Sequence, residues 1–227
     1  MRLNKYIAAS SSLSRRKADM AIIEGRVTIN GTPAEQGQTV SDTDIVTLDG
    51  KAIHANTTVS TIILNKPRGY VVSRDGQGSQ TIYDLLPQEY QQLNPVGRLD
   101  KDSSGLLLLT NNGQLANELT HPSHQKLKIY TVSLEKPLQP LHRQMISDHG
   151  LMLEDGLSKL QLERQTEGND YTWIVTMHEG RNRQIRRTFA ALGYAVQTLH
   201  RTHFGPYQLK PELRVGEWEE VAPAQPQ

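Results

Sequence analysis

The sequence predicts an α+β protein: a small N-terminal module of helices and short strands, then a larger domain on a mixed, mainly antiparallel sheet with flanking helices. Three observations lead there. Short apolar runs of strand character are interrupted by helical segments at irregular intervals, which argues against repeated βαβ units. Near the N-terminus, Asn30-Gly31 and Asp49-Gly50 each follow a short apolar run, and such pairs suit the positive backbone angles of tight hairpins. A polar stretch without periodicity, His54 to Ser60, then separates this part from the rest. A length of 227 residues accommodates a small domain and a larger one with its own core.

Within the module, Leu3 to Ala9 reads as a short helix, and a second begins at Arg15 with Ser14 as its N-cap. Ala18, Ala21 and Ile22 recur at helical spacing, so Arg15, Arg16 and Lys17 fall on the opposite face. Gly25 ends that helix. Arg26 to Ile29 and Asp44 to Leu48 read as strands. The unit spans residues 1–53, a size that suits a binding module better than an enzyme. Residues 54–60 read as a linker, residues 61–221 as the larger domain, and the Pro/Gln-rich tail 222–227 as disordered.

In the larger domain, strands are expected at Thr61 to Leu64, Tyr70 to Ser73, Gly105 to Thr110, Ile129 to Leu134 and Tyr171 to Met177. Helices are expected at Thr81 to Leu86, Gln114 to Leu119, Pro140 to Asp148 and Arg183 to Leu192, the last closed by Gly193.

Composition narrows the function classes. Hydrophobic residues make up 36% and charged residues 22%, which fits neither a disordered nor a membrane-embedded chain, and no apolar run approaches the roughly 18 residues of a spanning helix. The absence of cysteine excludes disulfides and thiolate metal sites, and the start lacks the apolar core of a secretion signal, so a soluble, cytoplasmic protein is expected; a monomer is expected as well. Net charge is only +1, but its distribution is uneven. Arg2, Lys5, Arg15, Arg16 and Lys17 crowd the first twenty residues against Asp19 alone, and Arg181, Arg183, Arg186, Arg187 and Arg201 lie in a stretch without any acid. One such cluster reads as a solvated helix face. Two point toward nucleic acid.

The most informative segment is Val96-Gly97-Arg98-Leu99-Asp100-Lys101-Asp102-Ser103-Ser104-Gly105, followed by the apolar run Leu106 to Leu109 and Thr110. A polar loop holding one buried-looking Arg and two Asp abuts a core strand, a junction where rigid scaffolds present functional side chains. On these residues alone the loop is equally an ordinary turn whose carboxylates satisfy backbone N–H groups.

Gly97-Arg98-Leu99-Asp100 and Ser103 to Thr110 resemble the catalytic motif of the bacterial rRNA pseudouridine synthases. Further segments match that family in order: Leu64-Asn65-Lys66-Pro67-Arg68-Gly69, Lys128-Ile129-Tyr130, Glu179 to Arg187, Leu199-His200-Arg201, Phe204-Gly205-Pro206-Tyr207 and Gly216-Glu217-Trp218. Residues 1 to about 50 resemble the RNA-binding domain named after the fourth protein of the small ribosomal subunit. Ser103 departs mildly, standing where the family often has Thr.

The resemblance implies an isomerase acting on a uridine of rRNA, free or in a pre-ribosomal particle, with the large subunit favoured over the small. The reaction breaks the bond from N1 of the base to C1′, turns the base, and joins C5 to C1′. No atom is gained or lost, so no cofactor or metal is implied. A carboxylate is needed beside the sugar, as nucleophile at C1′ or as base toward the 2′ proton. The resemblance gives that role to Asp100, with Asp102 a near rival expected to be dispensable.

By the same resemblance Arg186 pairs with Asp100; a guanidinium fork would fix the direction of the carboxylate as well as its charge. Ile185 and Phe189 are expected to face the core, leaving Arg183 and Arg187 pointing outward. Tyr130, read alone, is a core aromatic with a wet hydroxyl; the resemblance implies that it stacks on an extruded uracil and takes part in proton transfer, with Leu199 lining the same pocket. Arg98, Lys66, Lys128, Arg183 and Arg187 are expected to contact substrate or hold loops, and Arg2, Lys5, Arg15, Arg16 and Lys17 to bind RNA through the N-terminal domain. Two other readings stand beside this one: a non-catalytic RNA-binding protein on the same fold, and a metal-dependent hydrolase. Against the second, the histidines at 121, 124, 178, 200 and 203 show no recognised ligand spacing.

Overall fold

The computed structural model describes residues 1–11, 13–54 and 59–222. Residues 55–58 of the expected linker and 223–227 of the expected tail lie outside the described residues. The chain divides into two compact units, Met1–Val59 and Ser60–Gln227.

In the first unit, α1 (Leu3–Ser10) and α2 (Arg15–Ile23) share an apolar core with a four-stranded antiparallel sheet of order β2-β1-β3-β4. Its strands are β1 (Val27–Ile29), β2 (Thr32–Pro33), β3 (Val46–Leu48) and β4 (Lys51–Ile53). Ser14 starts α2 as expected, its hydroxyl accepting from the Lys17 N–H at 3.3 Å. Leu3, Ile7, Ala18, Ala21 and Ile22 turn inward onto Val27 and Val46. Both hairpins turn on residues of positive φ, Asn30-Gly31 and Asp49-Gly50, as two-residue turns of matching twist require.

The second unit is organised by one nine-stranded sheet whose main path runs β11-β12-β8-β13-β7-β5-β15. In chain order its elements are β5 (Thr61–Lys66), β6 (Asn94–Pro95), β7 (Ser104–Thr110), α3 (Gly113–Thr120), β8 (Lys128–Leu134) and α4 (Pro140–Gln144). A separate hairpin of β9 (Leu151–Leu153) and β10 (Gly156–Ser158) follows, then β11 (Gln161–Arg164), β12 (Thr172–Met177), α5 (Gln184–Ala190), β13 (Val196–Phe204), β14 (Tyr207–Gln208) and β15 (Trp218–Glu220). Every pairing is antiparallel except that of β13 with β7, so the mixed, mainly antiparallel α+β expectation holds.

The apolar runs of β5 and β7 do not alternate because both faces of the sheet are covered. Ile62, Leu64, Leu107 and Leu109 pack with Tyr130, Val132, Leu199, Ile185 and Phe189 on one side. Ile63, Leu106 and Leu108 pack with Leu115 and Leu119 of α3 on the other.

Several expectations need correction. Tyr70 to Ser73 is not a strand; Val71 makes a single bridge to Thr81, and the turn residues that follow, with Gln77 and Gly78 at positive φ, carry the chain away. Thr81 to Leu86 is a 3-10 turn, Ile82–Leu85, closed in a capping box by Thr81 and Asp84 and halted ahead of Pro87. The helix expected over Pro140 to Asp148 changes after α4 into one π-helical turn, Met145–His149. No strand is expected at Val196–Phe204, yet β13 lies mid-sheet; His200, Arg201 and His203 disguise it. Among the described residues, no helix is long and apolar enough to cross a membrane.

Candidate active site

Residues 97–103 form the loop that leads into β7, and a buried cation shapes it. Lys66, the last residue of β5, is fully buried, and its ammonium donates to the carbonyls of Pro67 (3.0 Å), Asp100 (3.2 Å) and Ser103 (2.9 Å). The Ser103 N–H also donates to the Asp100 carbonyl, at 3.1 Å, and the Gly69 N–H to that of Lys101, at 2.7 Å. Burial pushes Lys66 down to about 8, against the opposing charges of Asp100 and Asp102. Lys66, fully buried, therefore holds the loop from inside, the second of the two roles expected of it, rather than contacting substrate.

Leu99 turns into the core cluster that holds Tyr130, Ile185 and Leu199, while the next side chain, Asp100, stays 33% exposed. Tyr130 on β8 and Leu199 on β13 are both buried. Leu199 lies opposite Val132, two residues along from Tyr130, so the two share a face of the sheet. Arg98 is exposed, not buried as the motif suggested, because Leu99 takes the inward position beside it.

The second half of the site comes from the arginine segment. Arg183 has a left-handed backbone (φ 46°) just ahead of α5, and its side chain, 44% exposed, reaches back to the loop. Its two terminal nitrogens donate to the two oxygens of Asp102 at 3.1 and 3.2 Å, and one lies 3.5 Å from Asp100 Oδ2. Arg186, only 11% exposed in its side chain, donates to the carbonyls of Asp102 (3.0 Å) and Val196 (2.9 Å), with its Nε 3.4 Å from Asp102 Oδ2. The expected Arg186–Asp100 pair is thus replaced by two others, Arg186 with Asp102 and Arg183 with Asp100 and Asp102.

Asp102 is the hub of this arrangement, a larger part than the sequence assigns it. Burial is the strongest single influence on its carboxyl and pushes it up, but the hydrogen bonds of Arg183 and the charges of Arg186 and Arg183 outweigh it, leaving a net shift downward. Arg186 is pulled down by burial and held up by the Asp102 and Asp100 charges.

The basic stretch 181–203 is not an open patch. Arg187, 31% exposed in its side chain, is bound bidentately to Asp155, at 2.6 and 3.0 Å. Arg201 is internal, donating to the Leu106 carbonyl at 2.8 Å and lying over the Phe204 ring. Lys128 is half-buried near the same ring, donates to the Lys126 carbonyl, and is pushed down by burial and by the Arg201 charge. In the first unit, by contrast, Arg2, Lys5, Arg15, Arg16 and Lys17 are all exposed and none makes an ion pair among the described residues.

Gly105 is the one glycine of the site whose identity the packing dictates. Its φ is +101°, and a Cβ there would lie 2.2 Å from the carbonyl oxygen of Arg201 across the parallel β7–β13 pair. His200 Nδ1 sits 3.0 Å from the Ser104 hydroxyl, and His178 Nδ1 3.1 Å from the Gln125 carbonyl. Among the described residues, no group of three or more His, Cys, Asp or Glu could hold a metal ion. Asp155 carries no signal beyond an Asp-Gly turn pair, and sequence reasoning missed it.

The family model for RNA pseudouridylate synthase matches residues 60–191, and that for the S4 domain matches residues 1–46. The chain is 38% identical to the ribosomal large subunit pseudouridine synthase B of Pseudomonas aeruginosa over 97% of its own length and 59% of that relative's. It is 34% identical to the ribosomal small subunit pseudouridine synthase A of Pasteurella multocida, covering 98% of this chain and 96% of that one. A crystal structure of a pseudouridylate synthase superposes with a TM-score of 0.70 at 32% identity, covering 98% of this chain and 96% of the other.

Proposed function

Since the chain belongs to the RNA pseudouridylate synthase family, we propose that it isomerises a uridine of ribosomal RNA to pseudouridine, with Asp100 as the catalytic carboxylate. The observation that carries this reading is the placement of Asp100. It stands on a loop pinned by a buried lysine, a third exposed, next in the chain to Leu99, which packs into the core cluster that includes Tyr130 and Leu199, with the guanidinium of Arg183 3.5 Å from its carboxylate.

Each part has a task in the isomerisation. The target uridine must leave its stack to be reached, and loops and bulges release it at least cost. Tyr130 and Leu199 offer an apolar surface for the extruded base. Asp100 acts at the sugar while the N1–C1′ bond breaks and the C5–C1′ bond forms, and the proton lost from C5 is balanced by one gained at N1. The hydrogen bonds and charge of Arg183 and the charge of Arg186 oppose protonation of Asp102 on the same loop. The exposed cations of the S4-like unit supply affinity for phosphate.

We read the substrate as large-subunit rRNA, free or in a pre-ribosomal particle, on the identity to relatives of that name, 35–38% against 34% for the small-subunit relative. The working unit in this reading is a single chain in the cytoplasm. Unmodified large- and small-subunit rRNA incubated with the purified protein should yield pseudouridine in the former, and Asp100→Asn should bind the RNA and yield none. Activity in Asp100→Asn would overturn the assignment. Binding without product in the unaltered protein would leave a non-catalytic RNA-binding protein.

A further inference from the structure

We propose that Asp155 is a positioning residue for the arginine segment that faces the Asp100 loop, an inference that rests on the synthase reading above. Asp155 sits at the turn of the β9–β10 hairpin, which forms its own two-stranded sheet outside the main one. Its Oδ1 accepts from Arg181 at 2.8 Å and from Arg187 at 3.0 Å, and its Oδ2 accepts from Arg187 at 2.6 Å. The hairpin backbone joins in: Arg181 donates to the carbonyls of Gly156 at 3.0 Å and Leu157 at 2.8 Å. Gly156 fits this contact, since its φ is +117° and a Cβ there would lie 3.4 Å from Arg181 Nη1.

A buried polar contact completes the attachment. Ser158, at the end of β10, meets the Thr188 hydroxyl at 2.8 Å and accepts from the Gln184 amide at 3.0 Å. Residues 181–188 are therefore gripped along one side by the hairpin, at Arg181, Gln184, Arg187 and Thr188. Between these points Arg183 and Arg186 reach the other way, to Asp102 and Asp100.

The grip matters because the segment has little stiffness of its own. The helix α5 has seven residues, well short of the length at which a helix holds itself in water, and it opens on a left-handed residue. Its position comes from tertiary contacts. Asp155 is also the acid paired with Arg187 and shares Arg181 with Glu179, 3.4 Å away, and the hydrogen bonds of Arg187 hold its carboxyl below the usual range, so it stays charged near neutral pH.

A partly exposed ion pair contributes little to folding. Asp155 is 41% exposed in its side chain, so its loss should leave the protein folded and show up in turnover. A misplacement of about 1 Å can cost on the order of a hundred-fold in rate.

The test uses the full chain on unmodified rRNA, with kcat, KM, melting temperature and the salt dependence of RNA binding measured for Asp155→Asn, Asp155→Ala and Asp155→Glu. Activity in the unaltered protein comes first, because its absence would sink the synthase reading and not this inference. Given that activity, Asp155→Asn and Asp155→Ala should lose about ten-fold or more in kcat with KM unchanged and the melting transition retained, and Asp155→Glu should recover part of the loss. Unchanged kcat in Asp155→Asn would overturn the proposal. So would a lower KM with a steeper salt slope and unaltered kcat, which would make Asp155 a mask over two phosphate-binding arginines. If Asp155→Ala melts below the assay temperature, Arg187→Lys takes its place: it breaks the bidentate contact but keeps the charge, and full kcat in it would count against positioning.

Discussion

Lys66 Nζ lies 3.2 Å from the carbonyl oxygen of Asp100, so a fully buried cation holds the backbone of the candidate catalytic residue while its carboxylate faces Arg183. Lys66→Met should therefore lose about ten-fold or more in kcat by loosening the loop. The pH dependence has two opposite signs. With its folded value pushed down to about 8 from 10.5, Lys66 costs the fold most below pH 8, where it is charged in both states, and that cost fades as pH rises toward 10.5. Activity should decline over the same rise, because a neutral amine has two protons for three carbonyl acceptors. A kcat profile between pH 6 and 9 should show a basic limb near 8 in the unaltered protein and none in Lys66→Met; the same limb in both would remove Lys66 from the explanation.

Asp102 is paired with two arginines, so Asp102→Asn should not behave as a neutral change. Removing one member of a partly buried pair leaves Arg186 without its counter-charge. The expected result is a folded enzyme with kcat lowered about ten-fold, between the unaltered protein and an inert Asp100→Asn. Full turnover in Asp102→Asn would show that the arginines act on Asp100 without it.

Tyr130 offers a ring and a hydroxyl that substitution can separate. Base–aromatic stacking contributes roughly 1–3 kcal/mol, so Tyr130→Phe should keep RNA affinity and lose turnover, while Tyr130→Leu should lose both. Full turnover in Tyr130→Phe would leave the hydroxyl without a chemical role.

Arg2, Lys5, Arg15, Arg16 and Lys17, on and beside α1 and α2, are exposed and make no ion pair among the described residues. Replacing Arg15, Arg16 and Lys17 together by Ala should weaken rRNA binding and flatten its salt dependence by about 0.7 to 0.9 in log–log slope for each phosphate no longer neutralised. The turnover of bound substrate should stay the same. An unchanged slope would assign phosphate binding to other residues.

Much of the architecture is written locally. Ser14, Gly25, Asn30-Gly31 and Asp49-Gly50 act through their own backbone preferences, and each sets the boundary its residue type demands. The long apolar runs of β5 and β7 reveal strands covered on both faces. Strand β13 stays hidden because its polar residues find partners only after folding: Arg201 bonds the Leu106 carbonyl and His200 the Ser104 hydroxyl.

The sequence by itself determined the two-part α+β plan, the loop carrying Asp100 and Asp102, and the richness in arginine between residues 181 and 187. Only the tertiary structure decided which charge meets which. Arg183, read as outward, stays exposed but reaches the Asp100 and Asp102 carboxylates from a left-handed position ahead of α5, and Arg187 is taken by Asp155, about thirty residues away in the chain. Lys66 becomes a buried support because β5 ends beneath a loop that begins some thirty residues later. Periodicity and turn chemistry act over a few residues, whereas ion pairs depend on through-space distances that only the packed sheet brings within reach.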